Sequence, residues 1–144
     1  MAWIIRRGER RDRSRVLTLW EEAGLGVTEE DEWEALVSGR SATILVAQSG
    51  DRLVGSAVAT FDGWRAYIYH VVVAPDVREQ GLAHELMETA ETYLKQSGAR
   101  RVYVMVNQDN TAGLALAAGA GYEPLGDIAL VKELKAPSGS RSAW

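Results

Sequence analysis

Apolar positions along this 144-residue chain change their period several times, and each change marks an element. Trp3, Ile4 and Ile5 form a short apolar segment flanked by charge, which fits an opening strand better than a helix. From Asp12 the spacing becomes Val16, Leu19, Trp20 and Ala23, which lines one helical face, and Gly24 follows as a stop. Thr28 precedes EEDEWEALVSG, whose acids fill the first turn of a second short helix that ends near Gly39. ATILVAQ, LVGSAVATF and WRAYIYHVVV then read as three strands, rich in branched and aromatic residues and separated by SGDR and by Asp62-Gly63. An Asp-Gly pair suits the central positions of a tight primed hairpin turn, so the three predict an antiparallel meander. Pro75 ends it, having no N–H to give to a ladder.

After Gly81 the period returns to helical. Leu82, Leu86, Met87, Ala90, Tyr93 and Leu94 share one stripe, and Gly98 closes it. RVYVMV is apolar on both faces, which predicts a central, doubly covered strand. Strand, helix and strand make a crossover unit, so this strand is expected to run parallel to the one before the helix. Another helix is predicted from Asn110, a final strand over DIALVKEL, and a mobile tail over residues 136–144. The fold class is therefore α/β, a mixed central sheet with helices on both faces, as one domain over residues 1–135.

Composition narrows the chemistry. The chain contains no cysteine, which removes disulfides, thiolate metal sites and cysteine nucleophiles. Its two histidines, His70 and His84, do not form the helical zinc pattern, and no metal is expected. A net charge of −4 is the wrong balance for a nucleic-acid binder. The absence of a signal-peptide-like start and of any long apolar run predicts a cytoplasmic protein without a membrane partner. Six arginines between Arg6 and Arg15 and five acids between Glu29 and Glu34 read first as solvated faces.

Chemistry concentrates at VAPDVREQGLAH, where a buried strand ends at proline and a loop bearing Arg78 and Gly81 enters a helix. Unpaired amides and the positive dipole end of a helix N-terminus suit phosphate. Arg78, Gly81 and Ala83 match a pattern of Gln or Arg, two residues, Gly, one residue, then Gly or Ala. Downstream, Asn110 opens a helix that ends in Gly121-Tyr122. These two segments resemble the pyrophosphate loop and second cofactor segment of the GNAT superfamily of N-acetyltransferases, and the element order from Ile4 to Leu134 resembles it too.

That resemblance implies acetyl transfer from acetyl-CoA to an amine of a small molecule or peptide, by direct attack in a ternary complex. It implies the GNAT acyl-CoA N-acyltransferase fold, with a splay between the fourth and fifth strands. Val71, Val72 and Val73 would face that splay and take the pantetheine arm. Arg78, Glu79, Gln80, Gly81, Leu82 and Ala83 would hold the pyrophosphate, and Asn110 would meet the arm near the sulfur. An amide near Val71 or Val72 would stabilise the oxyanion. A monomer or a homodimer is compatible with the resemblance.

The chain departs from the family pattern where a tyrosine acid usually stands, since Ala117 occupies that position. His70 as proton relay and Tyr122 as acid are the candidate catalytic groups; a strand histidine bonded to a neighbour is the alternative for His70. A CoA-binding regulatory or catalytically degenerate relative is the alternative function. Glu79 stands where relatives often have Gly, and Met105 stands where those that acetylate protein N-termini have Glu.

Overall fold

The structure is a computed structural model that describes residues 2–135, so the tail expected over 136–144 lies outside the described residues. In chain order it contains β1 (Ile4–Arg7), α1 (Arg13–Glu22), α2 (Glu30–Ser38), β2 (Ala42–Ser49), β3 (Arg52–Phe61), β4 (Ala66–Val73), α3 (Leu82–Gln96), β5 (Val102–Val104) and α4 (Thr111–Gly119). Short 3-10 turns at Arg10–Asp12 and Pro75–Val77 precede α1 and follow β4. The five strands lie in sequence order, antiparallel from β1 to β4 and parallel between β4 and β5. No described helix is long and apolar enough to cross a membrane.

Two adjacent residues of β3 fix which helix lies where, because successive strand residues point to opposite faces. Ser56 accepts a hydrogen bond from Trp20 Nε1 of α1 at 2.9 Å. At Gly55 an added Cβ would lie 3.0 Å from Leu82 Cδ2 and 3.1 Å from Leu86 Cδ1, both on α3. So α1 covers one face and α3 presses onto the other, closely enough that β3 needs a glycine there. Val16, Trp20 and Trp33 from the first face and Leu82, Leu86 and Ala90 from the second join the sheet valines in one buried cluster.

Four expectations from sequence are corrected. RVYVMV holds an edge strand, three residues long and half-exposed, because no strand among the described residues pairs its outer side. DIALVKEL forms no strand; its apolar residues stand in water, with Leu130 91% exposed. Asp62-Gly63 belongs to a four-residue loop over 62–65, in which Asp62 Oδ1 accepts from the amides of Trp64 and Arg65, both at 2.8 Å. Gly63 alone adopts positive φ there, so the side chain of Asp62 replaces the primed backbone turn.

The fourth concerns the arginine run, which is not wholly a solvated face. Asp12 is fully buried, gripped by Arg6 through Nη1 at 2.8 Å and Nη2 at 3.0 Å and by Arg15 Nη2 at 2.9 Å, with the Glu9 amide at 2.8 Å. Burial pushes its carboxyl up, but the hydrogen bonds from Arg6 and Glu9 and the two positive charges outweigh that and hold it below the usual range. The cluster ties β1 to the start of α1. Asp12→Asn is expected to cost about 3 kcal/mol at neutral pH, as for other broken buried pairs. A carboxyl depressed in the folded state stabilises fully above its unfolded pKa of about 4, and that stabilisation is lost as pH falls through the folded value. Urea titrations of variant and parent should therefore converge in strong acid.

Candidate functional site

β4 and β5 pair only at Ala66–Val102, Tyr67–Tyr103 and Ile68–Val104. Beyond Ile68, β4 continues to Val73 with β3 alone beside it, so its other edge is open over residues 69–73. This is the divergence expected between the fourth and fifth strands, with Val71, Val72 and Val73 along it. In the same stretch the β3–β4 register jumps from Val58–Tyr69 to Ser56–Val72, which leaves Ala57 opposite both His70 and Val71. An extra residue of this kind bends a strand and re-aims its backbone.

His70 is the residue that absorbs the bulge, with φ at +50°, a region that non-glycine residues seldom adopt. Its ring is fixed from three sides. Nε2 lies 2.9 Å from the carbonyl oxygen of Gly26 in the loop between α1 and α2. The Trp20 and Tyr69 rings stand nearly perpendicular to the imidazole, at centroid distances of 4.8 and 5.4 Å. A carbonyl can only accept, so Nε2 carries the proton and Nδ1, buried and without a partner, is the basic nitrogen. Burial lowers the imidazole pKa, and the Gly26 bond offsets this only in part.

From Val73 the chain passes through the turn at Pro75–Val77, anchored by buried Val77 and by a bidentate Arg52–Asp76 pair at 2.6 Å. Arg78 is extended, and Glu79 and Gly81 both adopt left-handed backbone, at φ of +63° and +86°. An added Cβ at Gly81 would meet nothing within 4 Å, so the demand there is conformational rather than spatial. Gly81 caps α3, whose first helical bond runs from the Glu85 amide to the Gly81 carbonyl. The amides of Leu82, Ala83 and His84 thus have no helical partner, and the left-handed residues before them shape the concave backbone that binds anions. Leu82 is buried and Ala83 half-buried, whereas Arg78 to Gly81 are exposed. His84 pairs with Glu88 at the surface, at 2.9 Å.

Asn110 caps α4, its Oδ1 accepting from the Gly113 amide at 3.0 Å. A Cβ at Gly113 would lie 2.6 Å from Asn110 Nδ2, so this cap depends on that glycine. Ala117 is the buried residue of α4. Its carbonyl accepts from the Tyr122 amide at 3.0 Å, while the Tyr122 hydroxyl donates to Glu91 of α3 at 2.6 Å. Burial, the Glu91 hydrogen bond and the Glu91 charge all push the Tyr122 phenol above its ordinary range. Glu91 is nine residues into α3, roughly 13 Å from the amides at its start. Sequence reasoning missed Glu91 and Gly26, which meet their partners across 31 and 44 positions and leave no local signal. Tyr67 and Tyr103 stack at 5.4 Å, with Arg65 over Tyr103 and Trp64. Among the described residues no cluster of three or more His, Asp or Glu could hold a metal ion.

This geometry can seat an extended, polar-backboned group along an open strand edge and an anion at the adjoining helix start. Comparison with known proteins agrees. Residues 9–122 match the acetyltransferase (GNAT) family. An acetyltransferase of Pectobacterium atrosepticum is 32% identical over 122 residues, covering 83% of this chain and 86% of the relative. Among solved structures, the aminoglycoside N-acetyltransferase AAC(6')-Iy, bound to a bisubstrate analogue containing CoA, superposes with a TM-score of 0.78 at 15% identity, over 92% of this chain and 99% of that one. A predicted acetyltransferase of Clostridium acetobutylicum, solved with acetyl-CoA, superposes with a TM-score of 0.78 at 10% identity, over 91% of this chain and 96% of that one. The open edge of β4, the left-handed entry to α3 and these matches lead to one conclusion: the chain belongs to the GNAT acetyltransferase family and is an acetyl-CoA-dependent N-acetyltransferase.

Proposed function

We propose that this protein transfers an acetyl group from acetyl-CoA to the amine of a small molecule or peptide, by direct attack in a ternary complex. The observation that carries the reading is the continuity of the open β4 edge over residues 69–73 with the left-handed loop at Glu79 and Gly81. The pantetheine arm lies along Val71 to Val73 as an added strand would. The pyrophosphate sits on the amides of residues 79–83, with Arg78 beside it, and Asn110 contacts the arm from α4 through the Nδ2 that its cap leaves over. An amide at Val71 or Val72, re-aimed by the bulge, stabilises the oxyanion as the amine attacks the thioester carbonyl.

The nitrogen–carbon bond forms, the carbon–sulfur bond breaks, and the amine loses one proton while the thiolate gains one. His70, neutral at physiological pH with Nδ1 as its basic nitrogen, is assigned the relay of the amine proton. Tyr122 is a poor donor for the thiolate, because its proton is held by Glu91 and its pKa is raised. Water takes that role here. A thiol with a pKa of about 8.5 is a fair leaving group, so the step survives without a phenol. The side-chain methyl at Ala117 also favours a second reading, a relative that binds the cofactor and turns over slowly or not at all.

Calorimetry with acetyl-CoA, followed by thiol release over an amine panel, separates these readings: binding with release supports transfer, binding without release supports the second reading, and no binding at millimolar cofactor overturns both. Ala117→Tyr is expected to raise turnover by tenfold or more, up to the roughly 10²–10⁴ that a well-positioned acid supplies. Glu79→Gly removes a carboxylate and a non-glycine residue at positive φ; acetyl-CoA affinity should rise several-fold, and the gain should shrink in high salt. The His70 imidazole, followed by NMR, should titrate below its ordinary value of about 6.5.

A further inference from the structure

On the α1 side of the sheet, β4 and β5 carry a graded row of side chains. Ser56, which bonds Trp20 of α1, shares its face of β3 with Val58 and Thr60, and these pair with Tyr69 and Tyr67 of β4. Tyr103 of β5 pairs with Tyr67 in turn. All three tyrosines therefore project on the α1 side, where they are half-buried, and the Tyr67 and Tyr103 rings lie 5.4 Å apart at a tilt of 31°. One residue before the Ala66–Val102 pair, the same alternation brings Arg65 and Arg101 to this face, and both are exposed. The guanidinium carbon of Arg65 lies 5.9 Å from the Tyr103 ring centre and 4.8 Å from that of Trp64, so two aromatic faces hold this cation in place. Among the described residues neither arginine forms an ion pair, and the Oδ1 of nearby Asp62 is engaged by the amides of Trp64 and Arg65. At the other end of the row the Tyr69 ring meets His70, and the acids from Glu29 to Glu34 begin three residues after the Gly26 that His70 holds.

We propose that the acetyl acceptor is a small dipolar molecule: a flat ring lies on Tyr67, Tyr69 and Tyr103, with the amine at the His70 end and an anionic carboxylate or phosphate at Arg65 and Arg101. This rests on the transfer reading above and names the substrate class of that same site. Tyr67 and His70 are three residues apart along β4, roughly 10 Å at the rise of a strand. Arg65 leans back over Tyr103, so the amine and the anion are separated by about that length, which is one aromatic ring with a short arm on either side. Stacked phenols offer π faces to such a ring. Two arginines without carboxylate partners bind anionic oxygens through paired, charge-assisted hydrogen bonds. The acids of α2 draw an ammonium toward the bulge and disfavour an anion there. The charges thus orient the molecule, since a reversed one would set its amine against guanidinium. A polyamine of the same length is disfavoured for the same reason, because its second cation would meet Arg65 and Arg101.

With acetyl-CoA as donor, kcat/KM for tyramine phosphate and for 4-(2-aminoethyl)benzoate is compared with that for tyramine. At least one anionic acceptor should exceed tyramine by roughly tenfold or more, and the better of the two identifies the anion. Removing the ring, as in 4-aminobutyl phosphate, should cost several-fold. In the double variant Arg65→Glu with Arg101→Glu the preference for an anion should invert. In the parent it should shrink in high salt, which keeps the test decisive if the variant fails to fold. Equal rates for charged and neutral rings, a ring-free phosphate that reacts as fast as tyramine phosphate, or a preference that survives either the double substitution or high salt would each overturn the proposal. If no amine is acetylated, the transfer reading fails by itself, and calorimetry of phenyl phosphate with CoA saturating decides the acceptor surface. Binding that the double variant abolishes supports the assignment; no binding, or binding that the variant retains, overturns it.

Discussion

β4 is paired along its length by β3 but by β5 for only three residues, and the candidate site follows from that inequality. A strand with two full partners has no backbone to offer a ligand; one with none would fray. β4 is rigid because β3 and the helices on both faces hold it, and open because β5 departs after Val104. Backbone groups on an open but rigid edge are oriented before any ligand arrives, which lowers the ordering cost of binding.

The rigidity has identifiable sources on each face. On one, Trp20 bonds Ser56 while its ring meets His70, and His70 in turn holds Gly26. On the other, Leu82 and Leu86 close over Gly55, so the first turn of α3 is set directly on the strand beside β4. The bulge at His70 and the helix start at Leu82 are thus held to the same two strands from opposite sides. That common frame gives the strand edge and the anion loop a fixed relative position, which neither would have as an isolated loop.

The helices, the meander and the loop at Arg78 to Gly81 were legible because each is written locally, as a period or a punctuating glycine. Partner-dependent features were not. The apolar pattern of RVYVMV is the same for a central strand and for an edge, and DIALVKEL has a strand composition whether or not an edge is there to receive it. The bulge arises from the relative register of two strands, so nothing at His70 announces a positive φ. Glu79 hides its left-handed conformation behind a residue type that ordinarily avoids it. Asp12 looked like one more charge in a charged run, because its burial depends on Arg6 and Arg15 arriving from two different elements.

Under the proposed function, the helix that opens at Asn110 carries an alanine at 117 where the resemblance implies a phenol, and the proposed backbone contacts do not rest on that residue. The phenol nearest to Ala117 in sequence, Tyr122, is used to pin the end of α4 to α3 through Glu91, and that bond keeps its proton where it is. The cofactor contacts proposed for strand and loop amides do not depend on side-chain identity, so an alanine at 117 would leave them intact. What it removes is a proton donor, worth about 3–5 kcal/mol of barrier when well placed. A thiolate needs that help less than an amine or alkoxide leaving group would, because its conjugate acid is already close to neutral pH. On the proposed reading the alanine would therefore act on rate far more than on binding, while Ala117 stays the buried residue of α4.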